Sequence, residues 1–205
     1  MNVYVETNFV LELALVQEQY ESCERLMSLC EAGQASLVLP TFCIAESYEV
    51  LIRRAKKRTQ MANDLASELQ QLGRSKPYRD EIEAFESLTG LLVRSNEEED
   101  RRLASALERI AKIADVVPLG ADIVLHATRH REKYRLEPQD SMVYSSVLHH
   151  LTSVRRGESC FINRDKHFDD PDIEESLAYH GCKMFFSFVD GCNYVAHLVN
   201  AESHD

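Results

Sequence analysis

Asn2-Val3-Tyr4-Val5-Glu6-Thr7-Asn8 opens the chain with an apolar run that stops on a carboxylate. The run reads as a short buried strand, and Phe9 to about Glu31 as one long helix. Within that helix Leu13, Val16, Tyr20, Cys23, Met27 and Cys30 step by three and four, and Gly33 supplies the usual stop. Ser36 to Leu39 is a second apolar strand, and Pro40-Thr41 opens a second helix with Thr41 as its expected cap. Strand, helix, strand, helix is the order that builds a parallel α/β sheet.

From about residue 53 to 115 the pattern is helical and charged, with a break at Gly73-Arg74-Ser75-Lys76-Pro77. Ser95 with Glu98 reads as a capping box, followed by an apolar stripe of Leu103, Leu107, Ile110 and Ala114. The expectation is a helical insertion packed on a single α/β domain of residues 1 to 200. After it come a short extended piece at 116–119, helices over 121–134 and 138–154, a strand at 158–162, a helix over 171–180, and a strand at 182–187. A closing helix is expected at 196–200, with 201–205 as a frayed tail.

At 205 residues and a formal net charge of −11, the chain has the size of one domain and lacks the excess of cations that would coat nucleic acid. Two basic blocks stand out, Arg53-Arg54-Ala55-Lys56-Lys57-Arg58 and the stretch from Arg129 to Arg135. Each alone reads as a solvated helix face; beside an acidic metal centre, Arg53, Arg54, Lys56 and Lys57 become anchors for a polynucleotide backbone. The six cysteines follow neither a zinc spacing nor a secretory disulfide framework, and Glu6 and Glu12 interrupt the N-terminal apolar stretch. A reducing, cytoplasmic location without membrane attachment is expected. The eight histidines show no ligand spacing, and His149, His150 and His167 read as surface or structural.

Four acids fall where an apolar run ends or a helix begins: Glu6, Glu46, Asp140 and Asp165. In an open α/β sheet ligands gather outside the carboxyl ends of the strands, so acids remote in sequence can converge there. Packed carboxylates resist joint ionisation and are held charged by divalent cations. Each acid also has a plainer reading. Glu6 could favour a helix start, although Asn8 is the better cap; Asp140 suits the positive end of a helix dipole. Asp170, before Pro171, reads as an N-cap, while Asp169 could cap or hold a second metal.

At these residues the chain resembles the PIN-domain nucleases. The matching stretches are Val3-Tyr4-Val5-Glu6-Thr7-Asn8, Pro40-Thr41-Phe42-Cys43-Ile44-Ala45-Glu46, Pro138-Gln139-Asp140-Ser141 and Phe161-Ile162-Asn163-Arg164-Asp165-Lys166-His167-Phe168. They lie within residues 1–52 and 116–187. The resemblance implies a three-layer α/β/α fold with a central parallel sheet, and Mg²⁺- or Mn²⁺-dependent hydrolysis of RNA. It places Glu6, Glu46, Asp140 and Asp165 on the metal, with Asp169 as a further ligand, and Thr7, Asn8 and Asn163 as supports. It also implies a possible homodimer, or a cognate antitoxin or other protein partner. The family usually has Asp where this chain has Glu6, which keeps the carboxylate but lengthens it by one methylene. The alternative is therefore a catalytically weak or inactive PIN-like scaffold that binds RNA or a protein. A haloacid-dehalogenase-type phosphatase would need a second Asp at position 8, where Asn8 stands.

Overall fold

Val3, Tyr4 and Val5 are fully buried because they form the middle strand of a five-stranded sheet covered by helices on both faces. A computed structural model describes residues 1–154 and 157–202. The strands are β1 (Asn2–Val5), β2 (Ser36–Pro40), β3 (Asp115–Val117), β4 (Ser159–Ile162) and β5 (Cys182–Phe185). All pair in parallel, in the order β3-β2-β1-β4-β5. The helices are α1 (Thr7–Leu15), α2 (Tyr20–Glu31), α3 (Thr41–Leu72), α4 (Arg79–Ile113), α5 (Ala121–Tyr134), α6 (Pro138–Ser153), α7 (Pro171–Tyr179) and α8 (Phe188–Glu202). The three-layer α/β/α architecture is the one the sequence implies.

Burial of β1 on both faces leaves one polar tip to satisfy. Tyr4 Oη lies 2.8 Å from Nδ1 of buried His150 on α6, whose Nε2 is 3.0 Å from Asp115 Oδ2 on β3. A buried hydroxyl without a partner costs roughly 1–3 kcal/mol; this chain of bonds removes the cost and ties β1, β3 and α6 together.

The expected single helix over 9–31 is two helices. Val16 takes a left-handed conformation with φ 51° and ends α1. The cause is Glu12, which is 1% exposed. Its carboxylate accepts from Gln19 N at 2.9 Å and pairs with Arg164 Nη1, so the 16–19 loop folds back on it. The left-handed region costs a β-branched residue about 1–2 kcal/mol. Because Val16 is half exposed, Val16→Gly should raise stability by about 1 kcal/mol, read from denaturant midpoints. An unchanged or lower midpoint would mean that the Val16 side chain contributes packing.

Gly33, at φ +70°, ends α2 as expected, with its N–H on the Cys30 carbonyl and the Gln34 N–H on that of Leu29. Thr41 does not cap α3: Pro40 is the N-cap residue, and the Thr41 hydroxyl instead donates to the Val117 carbonyl at 2.8 Å. The Ser95–Glu98 capping box does not form either. Ser95 lies inside α4, where its hydroxyl bonds the Leu92 carbonyl and Arg58 reaches across from α3 to Glu99 at 2.7 Å. The closing helix starts at Phe188, not residue 196, and includes Ala201 and Glu202. The rest of the expected tail, 203–205, lies outside the described residues. No helix among the described residues is long and apolar enough to cross a membrane.

Candidate metal centre

The chain passes from β1 to β2 and β3 on one side of the sheet and then returns to β4 and β5 on the other. The strand order therefore reverses between β1 and β4, the crevice where open α/β sheets bind ligands. Val5 pairs with Ile162, so Glu6 and Asn163 leave the sheet side by side at this point.

Glu6 is buried and is the N-cap of α1. Its Oε2 accepts from Asn8 N at 2.7 Å and its Oε1 from Arg164 N at 3.4 Å. The expectation that Asn8 caps this helix is corrected: Asn8 is the residue whose amide the cap receives. A carboxylate therefore does have local work here, which the sequence concealed because Asn normally outranks Glu as a cap.

Half-buried Glu46, in the second turn of α3, accepts a very short hydrogen bond from the buried Thr7 hydroxyl, which fixes one of its oxygens toward α1. Asp140 sits in the first turn of α6 behind Pro138, as expected. Asp165 precedes a single 3-10 turn (Lys166–Phe168) and accepts from His167 N at 2.9 Å. Asn163 is completely buried. Its Oδ1 accepts from Asp165 N at 3.1 Å, and its Nδ2 finds no partner among the described residues.

These acids feel one another. Burial pushes the Glu6 carboxyl up to about 7; the Asn8 amide pulls it back, and the charge of Asp165 adds to the rise. Burial also lifts Asp140 to about 6, with Asp165 and Glu46 raising it and His167 opposing them. The charge of Asp165 thus bears on both Glu6 and Asp140, and that of Glu46 on Asp140, which puts the four acids in one electrostatic neighbourhood. A cluster of carboxylate oxygens is the donor set of a hard divalent cation, and the unpartnered Asn163 Nδ2 offers a donor to an oxygen ligand of such a cation. The residues fit a hard divalent cation.

His167, read from sequence as surface or structural, is exposed and stands against two of these acids. Its Nδ1 is 3.1 Å from Asp140 Oδ2 and 3.2 Å from Asp165 Oδ1, and the ligand atoms of these three residues all lie within 4.8 Å of one another. Its place two residues after Asp165 in a tight turn was the available signal. Asp169 is outside this group: it is exposed, and its amide closes the same turn on the Lys166 carbonyl. Asp170 caps α7 as expected, accepting from Asp172 N at 2.8 Å. Arg164 was also missed; it bonds both Glu6 and Glu12 and so couples the cluster to the α1–α2 loop. Cys43 lies one turn before Glu46, but burial holds its thiol, like the other five, in the protonated form. A cysteine nucleophile is not on offer.

Arg53 and Lys57 follow Glu46 at i+7 and i+11 on the same face of α3, about 10 and 16 Å along the helix axis. Together with Lys56, Gln60 and Met61 they line an open groove of about 720 Å³. Arg58, from the same block, is turned to α4 and paired there with Glu99.

The open parallel sheet with acids at its switch point defines the class of protein. A sequence model of the PIN domain matches residues 3–168, and the chain belongs to that family. The match runs through the helical stretch 53–115, which the resemblance read from the sequence leaves out, and it ends before α7 and β5, which that resemblance includes. No curated protein and no solved structure matches this chain. PIN domains are generally nucleases that use divalent metals, so the fold is of nuclease type.

Proposed function

We propose that the protein is a Mg²⁺- or Mn²⁺-dependent ribonuclease whose centre is Glu6, Glu46, Asp140 and Asp165. The observation that carries the reading is the meeting of these acids at the switch point of the sheet, where Asp140 and Asp165 come together and the charge of Asp165 bears on both Glu6 and Asp140. Glu6, Glu46, Asp140 and Asp165 would hold the cation, which would supply Lewis-acid and charge-stabilising chemistry for hydrolysis of a phosphodiester. Thr7 holds the rotamer of Glu46, and Asn163 holds the backbone that carries Asp165. Asn8 and Arg164 fix the two oxygens of Glu6. Asp169, exposed at the end of the turn, is the candidate for a second, weaker ion. His167 supplies a donor to Asp140 and Asp165 when no cation neutralises them. The test is cleavage of a mixed RNA substrate with each metal, with chelator and with Asp165→Asn as the control for a contaminating nuclease. Equal cleavage by wild type and variant would remove the assignment.

Arg53, Arg54, Lys56 and Lys57 extend the site along α3 and grip the RNA backbone. Reversing all four charges should weaken RNA binding and flatten its salt dependence, by about 0.7 in log–log slope for each phosphate no longer neutralised. An unchanged slope would return the block to a solvated face. Exposed Tyr48 and Ile52, one turn apart on the α4 side of α3, give a second copy, an antitoxin or another protein an apolar footing.

A second reading has one specific observation behind it. Both oxygens of Glu6 already accept backbone N–H groups, so the longer side chain serves the α1 cap and could leave the centre a weak nuclease, a scaffold for RNA or protein. Glu6→Asp distinguishes the two: a sharp rise in cleavage favours the scaffold, and equal or lower activity favours the nuclease.

A further inference from the structure

A second constellation lies away from the acids, where α5 meets α6. A pocket of about 190 Å³ is lined by His126, His130, Ser145, His149 and His180. His126 and His130 are one turn apart on α5, the i, i+4 spacing that puts two side chains on one face, and their rings stack with centroids 6.1 Å apart. His149 comes from α6, and His180 follows α7.

The hydrogen bonds fix which ring nitrogens are available. Ser145 has one hydroxyl proton and gives it to the Ser141 carbonyl at 2.7 Å. Toward His130 Nδ1, 2.8 Å away, it can only accept. His130 is therefore protonated on Nδ1 and keeps the lone pair on Nε2. His149 is arranged the same way, with Nδ1 held 3.2 Å from Asp122 Oδ2. An oxygen acceptor on Nδ1 and a free Nε2 is the arrangement that orients and strengthens an imidazole as a metal ligand.

We propose that this pocket is a second metal site, one that binds Zn²⁺ through Nε2 of His126, His130 and His149, with His180 or water as the fourth ligand. Neutral imidazoles suit a borderline cation, and tetrahedral zinc accepts three histidines. Bringing three Nε2 atoms to about 2.0–2.1 Å from one ion requires rotation of His126 and His149; both are exposed, as is Asp122, which must turn with His149 to keep its contact with Nδ1. The bound ion clamps α5 to α6, the helix that carries Asp140.

The test is calorimetric titration of Zn²⁺ into the full chain in excess Mg²⁺, for wild type, His126→Gln, His149→Gln and Asp140→Asn. Co²⁺ absorption serves as an independent report of tetrahedral ligation. We expect saturable micromolar binding in wild type and Asp140→Asn, and at least about tenfold weaker binding in each histidine variant. The exposed histidine variants should melt with the wild type in the absence of metal, which separates a lost ligand from a lost fold. Wild-type affinity in either histidine variant, loss of binding in Asp140→Asn, or no saturable binding by wild type at micromolar Zn²⁺ would overturn the proposal.

Discussion

Asp140→Asn should lower metal-dependent RNA cleavage by at least about a hundredfold while leaving the metal-free protein as stable as wild type or more so. The two halves of this expectation come from the same geometry. Asp140 is largely buried, with Asp165 and Glu46 close enough to help push its carboxyl up to about 6. A neutral amide of the same shape relieves that repulsion and can still meet His167 Nδ1. The cation, by contrast, loses one of its charged oxygens and binds weakly or not at all. Cleavage rates at saturating Mn²⁺ and thermal melts in chelator check the two halves separately. If the variant fails to fold, Asp140 is a structural acid, and its place in the first turn of α6 reflects the helix dipole alone.

The pH dependence of stability should change sign when metal is added. Glu6 is raised from 4.5 to about 7 and Asp140 from 3.8 to about 6, so the folded protein holds these protons more tightly than the unfolded chain. Their contribution to stability is fully present below the unfolded values and is lost as pH rises through about 6 and then about 7. The metal-free protein should therefore weaken by about 5 kcal/mol between about pH 4.5 and pH 8 from these two groups together. Mn²⁺ competes with the same protons, so its stabilisation should grow over the same interval. Glu6→Gln, which retains an acceptor for the Asn8 amide, should flatten both trends. Melts with and without Mn²⁺ that run parallel across the range would disconnect the raised acids from any metal.

Most of the frame was legible in the sequence because its strands are short apolar runs and its helices keep their period. Asn2–Val5, Ser36–Pro40 and the helix over 121–134 lie where local pattern puts them, since burial on both faces or along one stripe leaves few other solutions. The placement of the acids at one edge was legible too, because a parallel sheet sends every strand's carboxyl end there. What escaped was whatever depends on a partner far along the chain. Glu12 looked like an interruption of an apolar stretch, and only Arg164, brought in by β4, explains its burial and the break at Val16. Ser95 and Glu98 carried a local cap signal that did not hold, because Ser95 lies inside α4 where α3 packs against it. The same holds for histidine: His167 meets Asp140 only when α6 and the turn after β4 come together. The His126–His130 spacing on α5 gained meaning when His149 and His180 closed the same pocket.

Everything proposed for the acids depends on their forming one cation site although they are remote in sequence. Calorimetric titration of Mn²⁺ into the purified chain, with Asp165→Asn alongside, addresses this without relying on any substrate. Saturable binding by the wild type that disappears in the variant is the expected result. No binding by the wild type at millimolar Mn²⁺, or equal binding by both proteins, would contradict it.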